Sequence, residues 1–352
     1  MNAIVCLHGR GNQMAPELGR SPRAVERYVD RMRRTWLSGL AKGLVLAGED
    51  PVPPAAVYLP FYGNDLADAI TAYEASGGRR PELELAEERV TADTVAGEGE
   101  PLGRAVGAMS RELVVDAAEE TGFRASQHLA GADAGTVEEV REVERMRSSG
   151  EEASWSDLLQ LRLARSALRF LSDKTGTADW VIEQFLRDVA YYLADERMRD
   201  LVQGCVRASI AQAQDDGHDE LVVVSHSLGT VVAYDALQQL PPGVTVRLLV
   251  TAGSPLGQKV VRRNLRGPDA GAERRAVPAA LTPVGAAPGW VNAYDLRDVV
   301  AVVHPLAPLF APSGAPVRDE RTYNPRGPHS IEDYLADPDV AGPVARALAD
   351  GR

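Results

Sequence analysis

The chain has 352 residues, 45% of them apolar and 25% charged, with a formal net charge of −12. That composition belongs to a globular protein with a substantial core and excludes disordered, collagen-like and fibrous classes. So acidic a surface repels phosphate backbones and anionic lipid, so neither nucleic acid nor a stable membrane insertion is expected. Two cysteines, Cys6 and Cys205, cannot form a disulfide framework or a structural zinc site and read as buried thiols. No window approaches ~20 apolar residues, and MNAIVCLHGR lacks the basic start of a signal peptide. The expected location is the cytoplasm.

AIVCL at 3–7 is apolar throughout, the pattern of a strand covered on both faces, and runs into the Gly-rich turn HGRGN. Residues 22–47 predict a helix, with Pro22 in its first turn and Gly48 past its end. AAVYL at 55–59 predicts a second strand. From Asp65 to about Leu193 helical spacing dominates, at 65–76, 103–120, 136–147, 154–172 and 178–195. Alternation then resumes: helix 196–214, strand 221–224, helix 229–240, strand 245–253, strand 290–295, a helix from Ser330 and a last one over 340–350. Strands alternating with helices imply a mostly parallel sheet with helices on both faces, the α/β class. Residues 1–64 and 196–352 form the core in this division, and 65–195 a large helical insertion. Residues 262–289, with Arg262, Arg263, Arg266, Arg274 and Arg275 among Gly, Pro and Ala, read as a mobile solvated loop.

Chemistry concentrates in LVVVSHSLGTVVAYDAL, residues 221–237. An apolar strand passes through Ser225-His226-Ser227-Leu228-Gly229 directly into a helix. So tight a turn strains its middle residue and projects that side chain from the carboxyl edge of the sheet. The flanking positions must be small, as Ser225 and Gly229 are. Ser227 is therefore a candidate nucleophile, and the following helix offers N–H groups and a positive dipole end. A serine hydroxyl needs an adjacent base; the histidines downstream are His304 and His329. Asp295 and Asp298, near the end of the 290–294 strand, are candidate acids. No phosphate-binding loop and no metal-ligand spacing occurs: HGRGN is not followed by G-K-[ST], and no G-x-G-x-x-G follows a strand.

The S-H-S-L-G elbow resembles the G-x-S-x-G nucleophile elbow of the α/β-hydrolase family, among its lipase- and esterase-like members, with Ser225 replacing the first glycine. That resemblance implies an α/β-hydrolase-like sheet and a triad in the order Ser, acid, His. It selects His329, in the loop NPRGPHSIEDYL before a late helix, over His304. It selects Asp298, within WVNAYDLRDVV, over Asp295. His8-Gly9-Arg10-Gly11 is similar to the HG-type oxyanion loop, so the Arg10 and Leu228 N–H groups are the implied oxyanion donors, with Gly9 keeping side chains away. His8 and His226 shape loop and elbow. AIVCL corresponds to the family's third strand, without the antiparallel strands that usually precede it. TAGSPLG at 251–257 and Pro60-Phe61-Tyr62-Gly63 fall where such enzymes contact substrate. The insertion is expected to cap the site, with Trp180, Phe185, Leu186 and Tyr191 helping to line an acyl pocket.

The implied activity is that of a serine hydrolase cleaving a carboxylic ester through an acyl-enzyme, with no cofactor and no metal. A small-molecule or lipid-like acyl compound is the expected substrate. Thioester or amide hydrolysis and acyl transfer use the same triad. A catalytically silent interaction module of the same fold, and an effector hydrolase acting on membrane lipid, are the other possibilities.

Overall fold

The computed structural model describes residues 3–9, 14, 20–50, 56–75, 101–120, 122, 167, 168, 171, 179–283, 289–311 and 316–349. Two compact units are present, one of residues 1–69 with 196–352 and one of residues 70–195.

The first unit is built on a six-stranded parallel sheet. Its strands are β1 (Ala3–Leu7), β2 (Ala56–Tyr58), β3 (Glu220–His226), β4 (Thr245–Ala252), β5 (Trp290–Tyr294) and β6 (Val317–Arg321). They lie in the order β2-β1-β3-β4-β5-β6. The first strand of the chain is thus interior, and the connection through β2 reverses direction before β3 returns to its other side. Leu7 pairs with Ser225, Ser225 with Thr251, and His226 with Ala252. This register brings the carboxyl ends of β1, β3 and β4 level with one another.

The apolar runs noted in the sequence have a direct cause: β1 and most of β3 and β4 are buried on both faces. One face carries Ile4, Cys6, Val222, Val224, Leu248, Val250, Val291 and Ala293. It packs against Trp36, Leu40 and Leu44 of helix α1 (Pro22–Ala47) and against the C-terminal helices. Each such side chain contributes about 1.5–3 kcal/mol by leaving water. Helix α1 starts where Ser21 Oγ accepts the Ala24 N–H (3.3 Å), with Pro22 in the first turn, and stops at Gly48 in the left-handed region (φ +69°).

In chain order the next helices are α2 (Gly63–Ala75), α3 (Pro101–Glu120), α4 (Asp179–Ala194) and α5 (Glu196–Asp215). They are followed by α6 (Leu228–Leu237), α7 (Lys259–Arg263), α8 (Ile331–Ala336) and α9 (Pro338–Ala349). Helices α8 and α9 pack with α1, whereas α5 and α6 pack together, α5 against β1 and β2 and α6 against β1 and β3. Within the second unit α3 packs on α4. The helices expected at 136–147 and over most of 154–172 lie outside the described residues.

Two sequence expectations need correction. Residues 262–283 are not a solvated loop throughout: Arg262 and Arg275 are buried. Arg275 donates to the carbonyls of Asp269, Leu265 and Arg266, and Arg262 to those of Glu273 and Gly257. Arg275–Ala276 also pairs in parallel with Phe310–Ala311. Arg262 and Arg275 are polar residues in a buried segment because they satisfy its backbone carbonyls, whereas Arg263 and Arg266 pair with carboxylates near the surface. The second correction is β6, absent from the sequence reading. VRDER lacks an apolar pattern because it is an edge strand, half-buried and charged, as edges that avoid further pairing are. Among the described residues, no helix is long and apolar enough to cross a membrane.

Candidate active site

Ser227 stands between β3 and α6 with φ +59° and ψ −134°, the one non-glycine residue with positive φ among those described. Such a conformation costs about 1–3 kcal/mol and persists only where the surroundings enforce it. Here the Ser227 N–H donates to Ala252 O (3.0 Å), and the Ser227 carbonyl accepts from Thr230 N–H (2.9 Å) and Thr230 Oγ1 (2.8 Å). Ser254 Oγ completes that clamp at 2.8 Å from Thr230 Oγ1. The small flanking residues have distinct reasons. Ser225 is buried and donates to Val250 O (2.7 Å). A side chain at Gly229 would collide with the Leu7 carbonyl oxygen.

The loop after β1 runs against the same serine. A Cβ added to Gly9 would lie 2.9 Å from Ser227 Oγ. Leu228 opens α6, so its N–H belongs to the first turn, whose donors a helix leaves unpaired. Arg10, the other expected oxyanion donor, lies outside the described residues. His8 backs this loop. Its Nε2 accepts the Tyr62 N–H (3.3 Å), so its proton sits on Nδ1 and is donated to Gly9 O (2.8 Å), while Tyr62 Oη donates to His8 O. Burial pushes the His8 imidazole down to about 4, only partly opposed by the Gly9 carbonyl. A neutral ring with both nitrogens engaged holds a loop rather than carrying protons. Phe61 lies beside His8, with ring centroids 5.5 Å apart.

Asp298 and His329 meet at the same carboxyl edge. His329 Nδ1 donates to Asp298 Oδ2 at 2.8 Å, with the carboxylate fully buried and the imidazole 34% exposed. A neutral His329 therefore carries its lone pair on Nε2, the arrangement a general base requires. Asp298 Oδ1 accepts the Val300 N–H (2.9 Å), and Oδ2 also accepts from Tyr334 Oη (2.7 Å). Gly253, at the end of β4, has φ +56°, and a Cβ there would lie 2.7 Å from Asp298 Oδ2 and 2.8 Å from His329 Nδ1. The turn after β4 is thus closed over the Asp298–His329 pair.

His226, adjacent to Ser227, links β3 to His329. Its ring lies over that of His329 (centroids 4.4 Å apart), and its Nε2–H donates to the His329 carbonyl (3.1 Å). Burial holds His226 well below the ordinary histidine range, and the neighbouring His329 adds to the effect. The elbow, the Gly9 loop, Asp298 and His329 are thus gathered at one rim.

The alternative acid and base sit elsewhere in the network. Asp295 binds Arg297 through its backbone N–H (2.9 Å) and guanidinium (2.6 Å) and accepts the Asn324 N–H (2.8 Å). Burial alone would raise its carboxyl, but these donors outweigh it and hold the group below the ordinary carboxylate range. Asp295 fastens the turn after β5 to the loop after β6. His304 stacks on Tyr294 (4.2 Å) and its Nδ1 donates to Ala301 O (2.8 Å).

Tyr334 was not singled out from the sequence; only its position five residues after His329 connects the two. TAGSPLG contributes Gly253 and Ser254 to the site, while Pro255–Gly257 form a buried turn. Phe185, Leu186 and Tyr191 are buried side chains of α4, which also contains Trp180. Among the described residues no cluster of His, Cys, Asp and Glu could hold a metal ion. No protein-family model, no curated protein and no solved structure matches the chain.

Proposed function

We propose that the protein is a serine hydrolase of the α/β-hydrolase type that cleaves carboxylic esters through an acyl-enzyme. The observation that carries this reading is Ser227 in a strained strand-to-helix turn, with the Asp298–His329 pair joined to that turn through His226. Strain of that kind in a residue with a nucleophilic hydroxyl is maintained by a dedicated clamp, which a turn of purely structural purpose does not need. The interior placement of β1 and the order serine after β3, acid after β5 and histidine after β6 agree with the family's chain order.

In this mechanism His329 Nε2 takes the Ser227 proton as Oγ attacks the ester carbonyl. Asp298 stabilises the imidazolium, and the proton passes to the leaving alcohol as the C–O bond breaks. Water then repeats the sequence on the acyl-enzyme and releases the acid. The Leu228 N–H, with the Arg10 N–H as the second donor, holds the oxyanion; one such donor contributes about 10²–10³ in rate.

A chain-length series of p-nitrophenyl esters tests the reading. Ser227→Ala and His329→Ala are expected to lose at least ~10³ in kcat, Asp298→Ala about 10²–10⁴, and Asp295→Asn far less at the chemical step. Native chain inert to the whole series, or Ser227→Ala as active as native, would overturn it.

A further inference from the structure

We propose that Tyr334 is a positioning residue that sets the proton affinity of His329 through the carboxylate oxygen the two share; the inference rests on the hydrolase reading for its catalytic meaning. Asp298 Oδ2 receives two hydrogen bonds, from Tyr334 Oη at 2.7 Å and from His329 Nδ1 at 2.8 Å. The direction of the first is fixed. Tyr334 Oη accepts the Asp295 backbone N–H (3.1 Å), so its own proton points at Asp298. Tyr334 and the Asp298 side chain are both fully buried, where an added donor moves charge off an oxygen far more than in water. Every part of the carboxylate charge drawn toward Tyr334 is lost to the His329 imidazolium. The phenol itself stays protonated, since burial and then the Asp298 charge push it well above the ordinary tyrosine range.

The surroundings isolate this effect. His226 on β3 lies over the His329 ring, and His8, in the loop after β1, acts on His226; burial keeps both neutral near pH 7. In the loop after β5, Asp295 is paired with Arg297. On α8, Tyr334 is the group that touches the carboxylate directly. Removing one hydroxyl therefore alters the acid–base pair while those neighbouring charges stay in place.

Two consequences are opposite in sign. Tyr334→Phe leaves Oδ2 to His329 alone and strengthens the carboxylate–imidazolium attraction. The His329 midpoint then rises by about 0.5–1 unit, a roughly 3–10-fold gain in proton affinity. Placing 3-fluorotyrosine at position 334 makes the phenol a stronger donor and lowers the midpoint. Loss of packing alone moves neither in this ordered way.

The test is a ¹H–¹³C NMR titration of the histidine rings in the full chain, with His329 assigned by the missing signal in His329→Gln. It is run on native protein, Tyr334→Phe and the 3-fluorotyrosine chain, alongside the acid limb of kcat/KM for a p-nitrophenyl ester. A rise with phenylalanine and a fall with fluorotyrosine, matched in the kinetic limb, supports the proposal. Midpoints unchanged within about 0.2 units overturn it. Should Tyr334→Phe not fold, the fluorotyrosine chain, which keeps the ring and hydrogen bond, decides by the same criterion. A native chain that turns over no ester contradicts the hydrolase reading while leaving the ring titration fully interpretable.

Discussion

His8 shows how one residue ties the site to the stability of its strand. In the folded chain its imidazole is neutral down to about pH 4, whereas an unfolded histidine takes up a proton near 6.5. Between those values the unfolded chain binds more protons, so stability falls as the pH falls. The contribution is complete above about pH 6.5, and ~3 kcal/mol of it is lost on reaching pH 4. From pH 7 to 5 the native chain should therefore lose about 2 kcal/mol more stability than His8→Gln, measured by urea unfolding. Parallel losses in the two chains would show that His8 is not held neutral. Motif reasoning could place His8 in a substrate-facing loop, but the Tyr62 N–H that fixes its tautomer comes from the loop after β2 and has no local signature.

At the scale of elements, α6, the helix that follows Ser227, is held from behind by a buried ion pair. Arg199 of α5 meets Asp235 of α6 at 2.6 Å, with 5% and 0% of the two side chains exposed. Asp235 also accepts the Arg266 N–H (2.8 Å), Arg199 donates to Asn264 O (2.8 Å), and Gln203 donates to Val232 O (3.0 Å). Removing Asp235 leaves the buried Arg199 guanidinium only the more distant, exposed Glu196 carboxylate (3.5 Å), and breaking a buried pair in this way costs about 3–5 kcal/mol. Asp235→Ala should lower the unfolding free energy by that amount, and Asp235→Ala combined with Arg199→Met should recover part of it. A single-variant loss below about 1 kcal/mol would place the pair among the weak ones. Helix α1 was legible because its caps and spacing agree with burial, and strands β1, β3 and β4 because their continuous apolar runs match burial on both faces. β6 was not, because Asp319 turns its carboxylate to the Leu306 and Ala307 N–H groups, a use of charge that no hydropathy pattern reports.

For the whole molecule, the sequence carried the order of chemistry along the chain but not its convergence. That Asp298 rather than Asp295 meets His329 follows from where β5 ends and from the Arg297 and Asn324 donors that occupy Asp295. Parallel pairing brings positions 9, 227, 253 and 298 to one rim, since every carboxyl end of such a sheet faces the same way. The most direct measurement of what that rim does is covalent: native chain treated with a fluorophosphonate, then intact-mass and peptide mass spectrometry. A single adduct on the peptide containing Ser227, absent in Ser227→Ala and slowed at least ~10²-fold in His329→Ala, is the expected result. An unlabelled native chain, or label on another serine at the same rate, would contradict the assignment of Ser227 as nucleophile.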